Sequence, residues 1–297
     1  GVAPDATIVS LRVLDANGNG TAANVVRGFN WLLQHRAQYG IDVLNISWGA
    51  PQSTSYQNDL LSALAESAWF SGITVVVAAG NGGAGTGTVT SPASDPFVVA
   101  VGSYADQGTF DLSDDVESAF SSRGVTLDGF AKPDTLAPGE HVLGLRAPGL
   151  TFLGVDGLPI GTATDKYIHM TGTSASTAFV SGVAALVEAA HPTYTPTQTK
   201  GAIVASGRAL PGASTKAVDA TAALYRMTTV NVGVAPSKLL LALLTQLHVL
   251  RVRGVSWEGV TWDGITWETV SWETVSWESV SWETVTWEGV TWEQVLQ

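Results

Sequence analysis

Two stretches constrain the fold more than anything else in the sequence: ITVVVAAG at 73–80 and PFVVAVGS at 96–103, apolar at nearly every position. A strand with one face in water alternates apolar and polar residues, so unbroken apolarity demands cover on both faces. TIVSLRVL at 7–14 and DVLNIS at 42–47 have the same strand character, and helical periods occupy 22–39 and 56–71. Strand and helix in alternation predict an α/β fold, a parallel sheet with helices on both faces. Gly and Pro punctuate 103–170, which predicts loops and two short strands, and a long apolar helix follows from about Ser174 to Ala190.

Length and composition suit that fold. At 297 residues, 45% hydrophobic and 13% charged, the chain has enough apolar surface for one large domain and an addition. The absence of cysteine leaves the redox compartment open, since a domain of this size is stable without disulfides. No basic n-region, apolar h-region or cleavage site marks the first residues as a signal peptide. The apolar run at 239–250 is interrupted by Thr245, Gln246 and His248 and is shorter than the roughly 18 residues of a membrane span. It reads as a buried or docking segment.

The net charge of −12 is concentrated at the C-terminal end. Residues 254–297 carry Glu258, Asp263, Glu268, Glu273, Glu278, Glu283, Glu288 and Glu293 and no Lys or Arg, while the rest is near balance. Nothing there forms a basic footprint for nucleic acid. The same segment repeats every five residues: Trp257, Trp262, Trp267, Trp272, Trp277, Trp282, Trp287 and Trp292 each follow Ser or Thr and precede an acid, with Val or Ile at the same period. On a helix, a five-residue step turns about 140° past a full turn, so the tryptophans would spiral instead of forming a face. On a strand, the odd step sends successive tryptophans to opposite faces, and both need cover.

The expectation for 254–297 is therefore a β repeat completed by something else: its own folded domain, or the same segment of neighbouring copies in an oligomer or filament. Two rival readings are a row of tryptophans stacking on polysaccharide and an acidic, disordered segment. Acids five residues apart do not by spacing define a metal cage.

Chemistry is suggested by MTGTSASTAFVSGVAALVEAA, which sets Ser174 at the start of an apolar helix. Backbone N–H groups and the positive end of the dipole favour a developing oxyanion there, although Ser is also an ordinary N-cap. In VVVAAGNGG, Asn81 follows a buried strand and could donate its amide to the same oxyanion, or serve only as a turn residue.

Taken together with GVAPDATIVSLRVLD, VLNISWGAP, FSSRG and KPDTLAPGEHV, in this order, the two segments resemble the subtilisin-like serine proteases over residues 1–228. The resemblance implies a secreted endopeptidase, extracellular or at the cell surface, acting on peptide or protein substrates. It makes Ser174 the nucleophile and Asn81 the oxyanion donor. Ser47, Trp48 and Gly49 would form one edge of the substrate cleft, Gly18, Asn19 and Gly20 the other, and Ala78, Ala79 and Gly80 would line the pocket before the scissile bond. No cofactor takes part in such chemistry; structural calcium is an expectation of the family without a ligand cluster to assign it to. On this basis 1–228 is a catalytic domain, 229–253 an apolar linker or docking segment, and 254–297 the Trp repeat.

A triad needs a general base and a carboxylate to orient it. The family's Asp and His motifs do not occur in the sequence, and His35, His141, His169, His191 and His248 each read as structural. The expectation is that both groups lie on an N-terminal fragment of the same protein. A sheet lacking that segment would leave an apolar edge open, to be covered by the fragment or by another subunit. The alternative of a different class is a structural subunit of an extracellular filament, tube or surface layer, built on a processed or inactive protease fold.

Overall fold

The computed structural model describes residues 1–15, 18–146 and 166–245, so the Trp repeat, and with it the expected β segment, lies outside the described residues. Four parallel strands form the main sheet: β1 (Val43–Ile46), Thr74–Ala78, Val99–Ala105 and Thr135–Pro138, each hydrogen-bonded to the next. The short strand Val116–Glu117 adds antiparallel to the end of Val99–Ala105. All five residues of Thr74–Ala78 are buried, as are Val99 to Tyr104, which is why neither segment alternates.

Helix α1 (Ala22–Tyr39) starts where the Thr21 side chain accepts from Asn24 N–H and ends at Gly40 in the left-handed region. It buries Val25, Phe29 and Leu32, a single face at helical spacing. Helix α2 (Leu60–Phe70) is capped by Asp59 and preceded by a 3₁₀ turn at Tyr56–Asn58, so the expected single helix is broken there. Helix α3 (Thr173–Ala190) crosses all four parallel strands, and α4 (Pro196–Ser206) packs beside it. Although α3 is 18 residues long and apolar enough to span a membrane, Val180, Val183, Ala184 and Val187 bury it in the core. Each fully buried Val or Leu of this core contributes about 1.5–3 kcal/mol.

Two expectations need correction. Residues 7–14 form no strand; their one bridge in the sheet pattern joins Leu14 to Gly20. Strand character alone does not make a strand, since the ladder needs a partner, and here a cavity of about 1320 Å³ separates Ile8, Val9, Leu11 and Val13 from β1. Among the described residues the outer edge of β1 has no strand partner, and Ile8 is 84% exposed. The second correction is between 103 and 170, where the described residues hold six strands or strand pieces, including a hairpin of Val142–Leu145 with Tyr167–Met170. Three of them are two residues long and three are four, too short to leave a clear period in the sequence.

Candidate functional site

The parallel strands end on a common side, and the loops leaving them meet the start of α3. Gly172 enters the helix at φ +146°, where an L side chain would be strained, and a Cβ would stand 3.2 Å from Asn81 Nδ2. No side chain of Gly172 can cap the helix, so the cap comes from elsewhere: Asn81 Oδ1 accepts from Thr173 N–H at 3.0 Å and from Thr173 Oγ1 at 2.9 Å. Both lone pairs of the amide oxygen are thereby used, which fixes the flip of the side chain. The Nδ2 group is turned toward the helix entrance. Thr173 Oγ1 also accepts from Gly80 N–H at 3.3 Å, tying the end of the central strand into the same network.

Ser174 is joined to the end of β1 by reciprocal bonds. Its Oγ donates to the Ser47 carbonyl at 2.9 Å, and Ser47 Oγ donates to the Ser174 carbonyl at 2.9 Å. Asn45 Nδ2 donates to Ser47 Oγ, and Ser181 Oγ donates to Asn45 Oδ1, which braces this contact along α3. A peptide carbonyl holds a hydroxyl proton but does not remove it, so this contact positions Ser174 without activating it.

Gly49 follows on an antiparallel ladder of Ala50–Pro51 with Thr90–Ser91. A Cβ at Gly49 would lie 2.5 Å from Thr90 Oγ1 and 2.9 Å from the Ser91 carbonyl, so only glycine fits this approach. Ala78 and Ala79 are buried, and Thr90 N–H donates to the Ala79 carbonyl while Ser122 N–H donates to Gly80. What these three residues offer a ligand is mainly backbone. The Trp48 ring packs on the core and lines the cavity beside β1.

Ser47, Asn81 and Ser174 are thus brought together, with Gly49 and Gly80 on the adjoining strands. Gly18, Asn19 and Gly20 lie outside this network, in a turn before α1 where Asp15 and Asn19 bond each other. Sequence reasoning missed Thr173, the residue that orients Asn81; its signal was a second hydroxyl beside Ser174, indistinguishable in a Gly-Thr-Ser string from a capping residue.

The histidines have other partners. His35 Nδ1 lies 2.8 Å from the Trp31 carbonyl, His191 Nε2 2.7 Å from the Leu224 carbonyl, and His169 Nδ1 2.9 Å from the His141 carbonyl. Among the described residues, no group of three or more His, Cys, Asp or Glu side chains is arranged to hold a metal ion.

With this geometry in place, comparison with known proteins is informative. A model of the Subtilase family matches residues 1–226. Serine protease AprX of Bacillus subtilis (strain 168) is 37% identical over 206 residues, 67% of this chain and 46% of the relative. The extracellular serine proteinase of Thermus sp. (strain Rt41A) is 32% identical over 204 residues, 69% of this chain and 41% of that protein. The crystal structure of a cold adapted subtilisin-like serine proteinase superposes with a TM-score of 0.55 at 30% identity, covering 73% of this chain and 67% of that one. The fold is subtilisin-like, and the chain spans less than half the length of the two curated relatives.

Proposed function

Because the chain belongs to the Subtilase family, we propose that it is the nucleophile-bearing part of a secreted serine endopeptidase acting on peptides or proteins outside the cell. Ser174 Oγ attacks the scissile carbonyl, and Asn81 Nδ2 with the Ser174 N–H stabilises the tetrahedral oxyanion. Ser47 to Gly49 hold one side of an extended substrate by its main chain, Gly18 to Gly20 border the other, and Ala78 to Gly80 line the pocket before the scissile bond. The observation that carries the reading is the pair of hydrogen bonds that Thr173 donates to Asn81 Oδ1, which turns the amide donor to the entrance of the helix that bears Ser174.

The base and its orienting carboxylate come from an N-terminal segment of the same protein. The opening beside β1 supports this: a strand laid there parallel to β1 would end on the same side as Ser47, within one strand spacing of about 4.8 Å. Residues 254–297 serve self-assembly or docking, through strand-forming Val, Thr and Trp in a fixed repeat.

The test is a fluorophosphonate probe, which labels only an activated serine, on the native full-length protein and its Ser174→Ala variant. Labelling lost in the variant, together with peptidase activity in the parent, is the expected result. An unlabelled Ser174 in a preparation that contains the upstream segment overturns the enzyme reading and leaves the structural-subunit one.

A further inference from the structure

The family match ends at residue 226, yet the chain returns to the domain after it. Leu240 and Leu243 are buried in the main core, with Val234, Leu239, Leu241 and Leu244 packed around them. Polar contacts fix the approach: Tyr56 Oη donates to the Ala235 carbonyl at 3.0 Å, and Lys238 N–H donates to Gln57 Oε1 at 3.1 Å. The strongest involve Glu66, a fully buried acid on α2. Ser237 N–H donates to its two oxygens at 3.0 and 2.9 Å, and Ser237 Oγ donates to Oε2 at 2.5 Å. Ser237 Oγ in turn accepts from Leu240 N–H, so Glu66 grips the residue that caps the helix Lys238–Thr245.

We infer that residues 234–245 are a proton-dependent clasp, in which Glu66 holds Ser237 while sharing one proton with Asp95, and loss of that proton opens the clasp.

Asp95 is fully buried as well. Its Oδ1 accepts from Phe97 N–H at 2.8 Å, but its Oδ2 has no donor. The side chain that meets it is the carboxyl of Glu66. Two carboxylates both accept, so the contact is a hydrogen bond only if one of them carries a proton. A charge count over the surroundings agrees. Lys132 and Lys200, both buried, face Asp95, and Asp134 lies between them at 2.8 and 3.2 Å. Two cations are matched by Asp134 and Asp95, and a charged Glu66 would be surplus inside the core. Tyr56 and Asp128 complete the titratable groups nearby, and neither supplies a positive charge.

Desolvation first, and Asp95 second, push Glu66 well above the usual carboxylate range; desolvation likewise raises Asp95 to about 7. A carboxyl raised on folding contributes stability that is complete below its unfolded pKa, near 4, and is lost as pH climbs through the folded value. The clasp is therefore closed in acid and loosens as pH climbs through the range in which the pair gives up its last proton. Lys200 works in the other direction: desolvation lowers it to about 7, so the fold gains relative stability from it as pH rises further. Its carbonyl acceptors are Pro96, Phe97 and Val98, and it is retained in the neutral variants of Glu66 and Asp95, which separate the two effects.

The experiment is amide hydrogen exchange on the full chain between pH 6 and 9, read as protection factors for 238–245 against those of Thr74–Ala78. We expect protection of the clasp to fall with rising pH in this range, by about tenfold per pH unit once the shared proton is being lost, as one proton requires, with the strand unchanged. Glu66→Gln accepts from Ser237 and donates to Asp95, and should make the clasp protection flat with pH. Asp95→Asn does the same from the other side and serves if Glu66→Gln fails to seat the helix. Tyr56→Phe should lower protection at every pH and keep the slope. A flat profile in the parent chain, or an undiminished slope in the neutral variants, overturns the clasp.

Discussion

In its proposed role, Asn81 shows how little separates an oxyanion donor from a turn residue. Its amide is useful to an oxyanion only while its oxygen is held by Thr173, because an amide free to flip presents the wrong atom about as readily as the right one. Replacing Asn81 by Ala in the full-length protein should lower kcat by about 10²–10³, the magnitude for loss of one such donor established on a subtilisin, with KM little changed. Thr173→Val keeps the N–H bond and removes the hydroxyl, so a loss of about tenfold in kcat is expected, near the 1–1.5 kcal/mol of one hydrogen bond. Thr173→Ser should recover most of it. Steady-state kinetics on a chromogenic peptide separates these outcomes, and an equal loss in Thr173→Ser would mean that packing of the methyl group matters, not orientation of the amide.

At the scale of elements, the site depends on how α2 is tied to the ladder behind Gly49. Asp59 Oδ1 accepts from Ser62 N–H at 2.8 Å, capping α2, and from Ser91 Oγ at 2.5 Å. Asp59→Ala removes a cap worth about 0.5–2 kcal/mol and leaves the buried Ser91 hydroxyl unpaired at about 1–3 kcal/mol more. Thermal unfolding should show Tm lower by about 5–10 °C, with Asp59→Asn losing less because its oxygen still caps the helix. The helices and the two central strands were legible because burial on one helical face, or on both strand faces, writes a period or its absence into the sequence. Residues 7–14 misled for the same reason: their apolar pattern records a need for cover, and the sheet pairing it suggested depends on a neighbour across about 1320 Å³. Ser174 and Asn81 stood out in the sequence by their place at element boundaries close after a glycine, and the structure brings both to the start of α3. The bonds that join Ser47 to Ser174, 127 residues apart, and Thr173 to Asn81, 92 apart, were not legible, since such long-range contacts leave no local mark.

For the whole molecule, the open edge of β1 links the fold to the chemistry. Thr74 N–H donates to the Asp42 carbonyl, and in a parallel ladder successive residues alternate sides, so the amides of Val43 and Asn45 point away from Thr74–Ala78 and into the opening. The described chain gives them no strand partner. An upstream strand that delivers the missing base and carboxylate has to take these two amides, whereas a partner covering only the apolar floor of Val13, Leu44 and Trp48 would leave them exchanging. Hydrogen exchange on the full-length protein and on residues 1–297 alone therefore tests both the fold and the enzyme reading. Strong protection of Val43 and Asn45 appearing only with the upstream segment, alongside labelling of Ser174 by a fluorophosphonate, is the expected pair of results. Labelling without protection would place the base on an element that does not extend the sheet. Protection without labelling would mean that the segment completes the sheet and still fails to activate the serine, the outcome that favours a structural subunit over a protease.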